Sequence, residues 1–569
     1  MNSNSVLRIR IITGFLCFFA LVIIGKLYFV QIVQGDVYAD KADRQYIAPQ
    51  GDLFDRGSIY FTTQSGEEVE AATMKEGFTL AMIPKHMTDA LAAYDAVNKI
   101  VELDKESFLV RASKRDDPYE ELKKKIDKET ANQIEALNIP GIQLVKDRWR
   151  AYPGDELASH ALGLIGFNKE NIVAGRYGLE RFYEGNLSRS TSTTYRNFFA
   201  EIFSGIERVI GGEPHQGDIV TTIEPDVEHA LEEQLKAVKK QWNSESVGGI
   251  VMNPKTGEIY AMASLPNFNP NSLKDIADPK VFSNPLVEYV YELGSIMKPI
   301  TMSIGIDSGA VTPSTHYDDK GTMVLNNKRI SNFDGKARGW VDMQEVLSQS
   351  LNTGIAYIVS KIGNDTQTEY MLNFGFGELT GIDLPNESNH IVENLKSKRD
   401  VEHVTAGYGQ GVAVTPIAMV RALSAVANGG TLVTPHLGKK VDYDVGGSKT
   451  FDYPAGRRVL KKTTTEDVTR MLVKVVDTAL LKGKVKMDHY SIAAKTGTAQ
   501  MADKASGGYY TDRYLHSFFG YFPAYDPKFI VFLFNVHPKG AEYASETLTM
   551  PFIDLTKFLI TYYQIPPDR

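Results

Sequence analysis

A single cysteine, Cys17, stands in the whole chain of 569 residues, so no intramolecular disulfide and no cysteine-rich metal cluster can form, and stability must come from packing. Positive charge is not in excess either. The 62 Lys and Arg residues against 70 Asp and Glu leave a net charge of −8, which offers no basic field to gather a nucleic-acid backbone, and nucleic-acid binding is set aside. No internal repeat or long low-complexity tract occurs, and the 47 Gly and 24 Pro residues are spread along the chain, which excludes collagen-like and coiled-coil architecture. What remains is ordinary globular composition, 43% hydrophobic and 23% charged, over a length that predicts two or three folding units with at least one large core.

Long hydrophobic runs are also scarce, with one exception at the N-terminus. The segment Ile11–Ile24 is apolar almost throughout and Leu27–Val33 extends it past Lys26. As one helix it is long enough to cross a bilayer, for which about 20 residues suffice. Arg8 and Arg10 precede it and Asp36, Asp40 and Asp43 follow it, so the positive-inside bias predicts a cytoplasmic tail over 1–10, a transmembrane anchor over 11–33 and the bulk of the chain outside. The expected location is therefore the cytoplasmic (inner) membrane, single-pass, with an extracytoplasmic or periplasmic remainder. A cleaved secretory signal is the rival reading, through the poor cleavage site Val37-Tyr38-Ala39, and the bulky Tyr28, Phe29 and Tyr38 favour retention. A buried soluble-core helix fits poorly with the basic flank.

From 34 to 217 the texture is mixed and no nucleophiles or metal ligands are concentrated, which predicts a non-catalytic spacer or docking module. A charged segment over Tyr119–Leu137 has apolar residues at helical spacing. Composition shifts near Asp218, where the strand-like Ile219–Ile223 leads through Glu224-Pro-Asp into a helix with proline in its favoured first turn. The runs around Asn253-Pro-Lys-Thr-Gly257 predict a β-hairpin over Gly248–Ala263. Helical stretches such as Gln344–Ile362 and Thr464–Leu481 fill the middle, and apolar strands return at Ser517–Phe522 and Phe529–Val536. Strands at both ends with helices between predict one sheet assembled from distant segments and backed by helices, an α+β domain over 218–569.

Three motifs in this half carry chemistry. Ser295-Ile-Met-Lys298 places a hydroxyl and an amine on one helical face at i, i+3, and the flanking Gly294 and Pro299 require the helix to start close to the serine, where the dipole favours developing negative charge. Alone, such a pair is more commonly a capping serine with a solvated lysine. Ser350-Leu-Asn352 supplies a second hydroxyl suited to proton relay and an amide suited to holding a peptide backbone group. Lys495-Thr-Gly-Thr498, on an edge strand, combines close backbone approach at Gly497 with a cationic, donor-rich seat for a carboxylate formed by Lys495, Thr496 and Thr498. Lys255-Thr-Gly257 repeats the letters but lies at the expected hairpin tip, so Lys255 is read as a turn residue.

The three motifs in this order are far more specific than any one of them, and with them the chain resembles a class B penicillin-binding protein, the membrane-anchored DD-transpeptidase that cross-links peptidoglycan. Gln50–Arg56, Arg150–Pro153 and Tyr177–Glu180 resemble signatures of that family's non-catalytic region. Thr256–Pro266, Tyr291–Ser295, Gly409–Pro416 and Gly520–Pro523 are similar to stretches of its transpeptidase domain. Gln50 and Asp52 stand where arginines are usual, and Leu293 where proline is usual.

The resemblance implies a penicillin-binding/serine-β-lactamase-like domain, an antiparallel sheet with helices, on an elongated α+β pedestal or dimerisation-like domain over 34–217. It makes Ser295 the acylated nucleophile, Lys298 its neutral base, Ser350 the proton relay, Asn352 the residue positioning the donor peptide, and Lys495, Thr496 and Thr498 the seat of the donor carboxylate. The backbone N–H groups of Ser295 and Thr498 would form the oxyanion hole. No metal or organic cofactor is implied. The implied partners are stem peptides, as D-Ala-D-Ala donor and amine acceptor, β-lactam antibiotics, and a membrane SEDS-type glycosyltransferase. The septal division type is favoured over the elongation type, some of whose members have a metal site that includes a cysteine, whereas Cys17 lies in the expected membrane helix. A serine β-lactamase or β-lactam sensor is disfavoured by the long non-catalytic region, and a non-catalytic envelope scaffold by the intact residue set.

Overall fold

The computed structural model describes residues 54–189, 216–274, 276–503 and 507–569. They divide into two units: the described part of the smaller is 54–55 with 74–149, and that of the larger is 56–73, 150–189 and the chain from 216 onward.

In the smaller unit, helices Ala90–Val97, Lys105–Ala112 and Lys128–Glu135 each begin at an aspartate that caps them, Asp89, Asp104 and Asp127. Their apolar faces pack on short strands in two small cores, one around Leu80, Val97, Ile126 and Ile134 and one around Met82 and Phe108. The helix expected over Tyr119–Leu137 is a strand, Glu120–Ile126, followed by the last of these helices. Leu122 and Ile126 are four apart, a spacing that fits a helical stripe and also the alternate positions of one strand face. Pairing of Phe78 with Ile126 selects the strand, and Asp127, whose carboxylate accepts from Thr130 N at 2.9 Å, starts the helix only afterwards.

From 216 onward the larger unit has first a strand, Gly217–Thr221, and then helix α1, Pro225–Trp242, started by Glu224, whose carboxylate accepts from Val227 N at 2.7 Å. Strands β1 (Ser246–Met252) and β2 (Ile259–Leu265) follow as a hairpin. A helical region comes next, with α2 (Lys298–Asp307), α3 (Met343–Ser348), α4 (Asn352–Ile362) and α5 (Lys462–Lys474). Strands β3 (Ala493–Asp503), β4 (Gly508–Phe522) and β5 (Phe529–Val536) then lead to helix α6, Thr549–Tyr562. The five strands form one antiparallel sheet in the order β3-β4-β5-β1-β2, so the N-terminal hairpin completes a sheet begun by strands more than 200 residues away, and β3 is left at the edge.

Side-chain alternation explains why this sheet needs helices on both faces. Phe518, Phe522, Val531 and Leu533 pack with Leu231 and Leu235 of α1 and Phe552 of α6, whereas Phe519, Tyr521, Ile530 and Phe532 belong to the core that holds Ile300 and Ile304 of α2. Each such aromatic or aliphatic side chain contributes about 1.5–3 kcal/mol when fully removed from water.

No helix among the described residues is long and apolar enough to cross a membrane. The longest of them, α1, has 18 residues and carries charge along its length, and α2, which is buried almost all round, has only 10, whereas a span needs about 20 apolar residues in one helix. The anchor expected over 11–33 lies outside the described residues, as do Gln50 and Asp52. The architecture of the described residues is therefore corrected to two α+β units with no membrane-spanning helix among them, and the single-pass anchoring, the inner-membrane location and the membrane partner built on it are withdrawn.

Three of the sequence signatures meet inside the larger unit. Glu180 is buried and accepts from Arg56 Nε at 2.5 Å, Arg150 Nε at 2.6 Å and the Tyr152 hydroxyl at 3.1 Å. Arg56 also donates to Glu180 O at 2.6 Å and Glu184 Oε2 at 2.7 Å, and Arg150 to Gly57 O at 2.7 Å. Burial opposes ionisation of Glu180, but the two guanidinium groups outweigh it and hold the carboxyl below its usual range. Glu180→Ala leaves both buried cations without their shared counter-charge and is expected to cost about 3–5 kcal/mol. Thermal unfolding followed by circular dichroism checks this: a clear fall in the midpoint is expected, with a smaller fall for Glu180→Gln, which keeps a hydrogen-bond acceptor.

Candidate active site

Ser295 sits in a 3₁₀ turn, Gly294–Met297, that runs directly into α2. Pro299 falls in the first turn of α2, where its missing N–H costs nothing. Gly294 takes φ 66° and lies against β3: a Cβ there would be 2.6 Å from Thr498 O, so only glycine permits this approach. Its N–H donates to Gly409 O at 3.0 Å, which fixes the turn from the other side. Leu293, in the place where the resemblance leads one to expect proline, is buried, and its carbonyl accepts from Ser517 Oγ at 2.7 Å.

Lys298, on the first turn of α2, is fully buried. Its Nζ donates to Ser350 O at 2.5 Å and Ser350 Oγ at 3.1 Å, so both described bonds reach Ser350 and neither reaches Ser295. Two features place Ser350 there. The helix expected over Gln344–Ile362 is broken into α3 and α4, and Ser350, in the break, adopts a left-handed φ of 55°. That conformation is costly for a residue with a Cβ, by about 1–3 kcal/mol, and is held by the packed helices on either side. It turns both the carbonyl and the hydroxyl toward Lys298. Asn352 is the first residue of α4, and its amide donates to Ser331 O at 2.8 Å.

The edge position of β3 brings in the third motif. Lys495 Nζ donates to Ser350 Oγ at 3.1 Å and Thr496 O at 3.0 Å. At Gly497 a Cβ would meet Ser517 Oγ at 2.3 Å and Leu293 O at 2.6 Å, so a side chain would push β3 away from the Ser295 turn. The Thr498 hydroxyl accepts from Ala544 N at 3.1 Å and keeps its own proton available. Ser295, Lys298, Ser350, Asn352, Lys495, Thr496 and Thr498 all line one cleft of about 680 Å³.

Electrostatically the cleft floor is unusual. Lys298 and Lys495 are both buried, neither forms an ion pair among the described residues, and both donate to the one hydroxyl. Burial first, and then the charge of Lys495, push the Lys298 amine well below the ordinary lysine range. Lys495 is pushed down to about 7 by burial alone.

Lys255 is placed elsewhere. It lies in the turn between β1 and β2, where its N–H donates to Asn253 Oδ1 at 2.9 Å, and its exposed amine pairs with Asp526. Other cleft-lining residues, Tyr408, Leu481, Phe333, Tyr543 and Glu542 among them, were not legible as site residues. They are ordinary in type and scattered along the chain, and only the Gly409–Pro416 stretch gave a local signal, without a role. Among the described residues no group of three or more His, Cys, Asp or Glu is placed to hold a metal ion.

Comparison with known proteins agrees with this geometry. A family model described as the penicillin binding protein transpeptidase domain matches residues 247–554, and one described as the penicillin-binding protein dimerisation domain matches 54–198. Stage V sporulation protein D of Bacillus subtilis is 28% identical over 551 residues, covering 94% of this chain and 82% of its own length. The peptidoglycan D,D-transpeptidase FtsI homolog of Mesostigma viride is 24% identical over 596 residues, covering 98% and 96%. Among solved structures, penicillin binding protein 2X of Streptococcus thermophilus superposes with a TM-score of 0.72 at 21% identity, over 90% of this chain and 81% of that one. Penicillin binding protein 3 of Mycobacterium tuberculosis, complexed with aztreonam, gives 0.69 at 21% identity, over 91% and 98%. At such identity these two show a shared fold. With more than half of its residues matched by the transpeptidase model, the chain belongs to the penicillin-binding protein family and is a serine-type DD-transpeptidase.

Proposed function

We propose that Ser295 is the nucleophile that takes the acyl group from a stem peptide ending in D-Ala-D-Ala, and that this cleft is also where β-lactams acylate the protein. The observation that carries the reading is the convergence of two buried lysines on the Ser350 hydroxyl inside the cleft that Ser295 lines. A neutral Lys298 accepts the Ser295 proton as Oγ attacks the penultimate carbonyl. The Ser350 hydroxyl accepts from both lysines through its two lone pairs, so its own proton is free to pass to the departing D-alanine, and Lys298 restores it. Lys495, Thr496 and Thr498 hold the terminal carboxylate, and Asn352 holds the donor backbone. The N–H groups of Ser295 and Thr498 face the developing oxyanion, a reading supported by the close approach of Gly294 to Thr498. The acyl-enzyme then transfers to an amine of a second stem peptide. Residues 34–217 are read as the non-catalytic pedestal and 218–569 as the transpeptidase domain, in keeping with the two family matches.

Ser295→Ala and Lys298→Ala are expected to lose covalent labelling by a fluorescent penicillin, by at least about 100-fold, the scale of a lost general base. Lys495→Ala slows labelling severely, whereas Lys255→Ala, a solvated turn charge, changes it less than about twofold. Labelling of the serine variant that maps to another hydroxyl would overturn the assignment.

The lysines also set a pH profile. Acylation needs Lys298 neutral, so its rate rises with pH through the lowered Lys298 pKa; it needs Lys495 charged, so it falls again as pH passes about 7. The second-order acylation constant of the free enzyme is expected to be bell-shaped, with its alkaline limb far below the ordinary lysine range. A flat profile through neutrality would contradict these protonation states.

For biological role the septal division reading is preferred over the elongation one, and FtsI-named D,D-transpeptidases stand among the relatives. Depletion of the protein is expected to give filaments with blocked septa; rounding of rod-shaped cells with septation intact would replace this role and leave the chemistry untouched.

A further inference from the structure

Of the three basic side chains in the cleft lining, Lys298 serves as the neutral base, which leaves Lys495 and Arg329 as its cations, and among the described residues the lining has one carboxylate, Glu542. The two peptides that must enter it differ in charge. The donor ends in a carboxylate, which suits Lys495. The acceptor arrives as an amine, which at neutral pH is largely an ammonium, and Lys495 and Arg329 repel it.

Glu542 has the geometry to offset that repulsion. Its side chain is exposed while its backbone is pinned: Glu542 N and Tyr543 N donate to Glu546 Oε2 at 3.1 and 3.0 Å, and Glu542 O accepts from His516 Nε2 at 3.1 Å. Nδ1 of that ring accepts from the Thr547 hydroxyl at 2.8 Å, and burial holds the ring neutral down to about pH 4, so the anchor does not titrate near neutrality. Two residues further on, Ala544 N donates to Thr498 Oγ1, which ties the Glu542 turn to the strand that seats the donor carboxylate. Beside Glu542, the Tyr543 ring meets Phe333 edge-on at 5.7 Å and makes an apolar wall of the cleft. The cleft is thus polarised, with the buried Lys495 and the exposed Arg329 as cations and the exposed Glu542 as the one carboxylate of its described lining.

We propose that Glu542 recognises the acceptor of the transfer step by binding its primary ammonium. This deepens, and rests on, the transpeptidase reading of Ser295. Docked at Glu542, the ammonium gives up one proton to solvent; the neutral amine then forms the N–C bond to the acyl carbon as the C–O bond to Ser295 breaks, and the second amine proton returns to the Ser295 oxygen through Lys298. Glu542 takes no part in forming the acyl-enzyme.

The test separates acylation from transfer, using the thioester donor benzoyl-D-alanyl-thioglycolate and two acceptors, glycinamide, which is largely cationic at neutral pH, and hydroxylamine, which is not. In Glu542→Gln, capture of the acyl group by glycinamide relative to water is expected to fall roughly three- to tenfold, while thiol release in the acylation step and capture by hydroxylamine stay within about twofold of the wild type. Glu542→Asp, which keeps the charge, retains most of the capture, and added salt weakens glycinamide capture by the wild type but not by the Gln variant. Unchanged glycinamide capture in Glu542→Gln, or an equal loss with hydroxylamine, overturns the inference while leaving the nucleophile in place. A wild-type protein that forms no acyl-enzyme with the thioester overturns the reading of Ser295 and this inference with it.

Discussion

The constraint on which the site depends is the burial of the Lys298 amine. A lysine removed from water beside a second lysine, with Ser350 O and Oγ its partners among the described residues, cannot keep its proton as an ordinary lysine does. A nearby carboxylate would hold the proton on, and among the described residues none is paired with this amine. The protein instead surrounds it with the apolar side chains of α2 and its neighbours and lets a strained serine, not an acid, meet it.

Much of the architecture follows from holding that arrangement together. Helix α2 must be buried on all sides, which requires a sheet face on one side and helices on the other; the alternation of Phe519, Tyr521 and Phe532 with Phe518, Phe522 and Leu533 provides the sheet with two apolar faces. The turn bearing Ser295 must touch the edge strand bearing Lys495, and here backbone meets backbone: Gly294 against Thr498, Gly497 against Leu293, with the Ser517 hydroxyl bonded to Leu293 O. Segments about 200 residues apart in sequence are thereby fixed to within hydrogen-bonding reach, which is what positional catalysis demands.

Away from the cleft a different solution to buried charge appears. Arg56 and Arg150 converge on Glu180 with nearly every polar atom engaged, and there the acid is kept ionised. The contrast between the two sites is chemical: at Glu180 two guanidinium groups share one carboxylate, each through its Nε, whereas the Lys298 amine meets only neutral oxygens among the described residues.

How much of this was legible beforehand depended on the range of the interactions involved. Hairpin β1–β2, the start of α1 at Glu224-Pro225 and strand β5 follow from local patterns, and the three motifs announce their chemistry because Ser295 with Lys298 and Ser350 with Asn352 are each neighbours on the chain. The decoy at Lys255 was separable too, since Asn-Pro before and Gly after it dictate a turn. The strand at Glu120–Ile126 was misread because Leu122 and Ile126 fit both periods, and only pairing with Phe78 decides between them. The break at Ser350, the destination of the Lys298 hydrogen bonds, the ion cluster on Glu180 and the place of Glu542 in the cleft lining were decided by tertiary structure alone. Sequence patterns record which side chains lie one turn or one strand apart, whereas burial, left-handed strain and the net charge of a cleft arise from segments that meet only once the chain has folded.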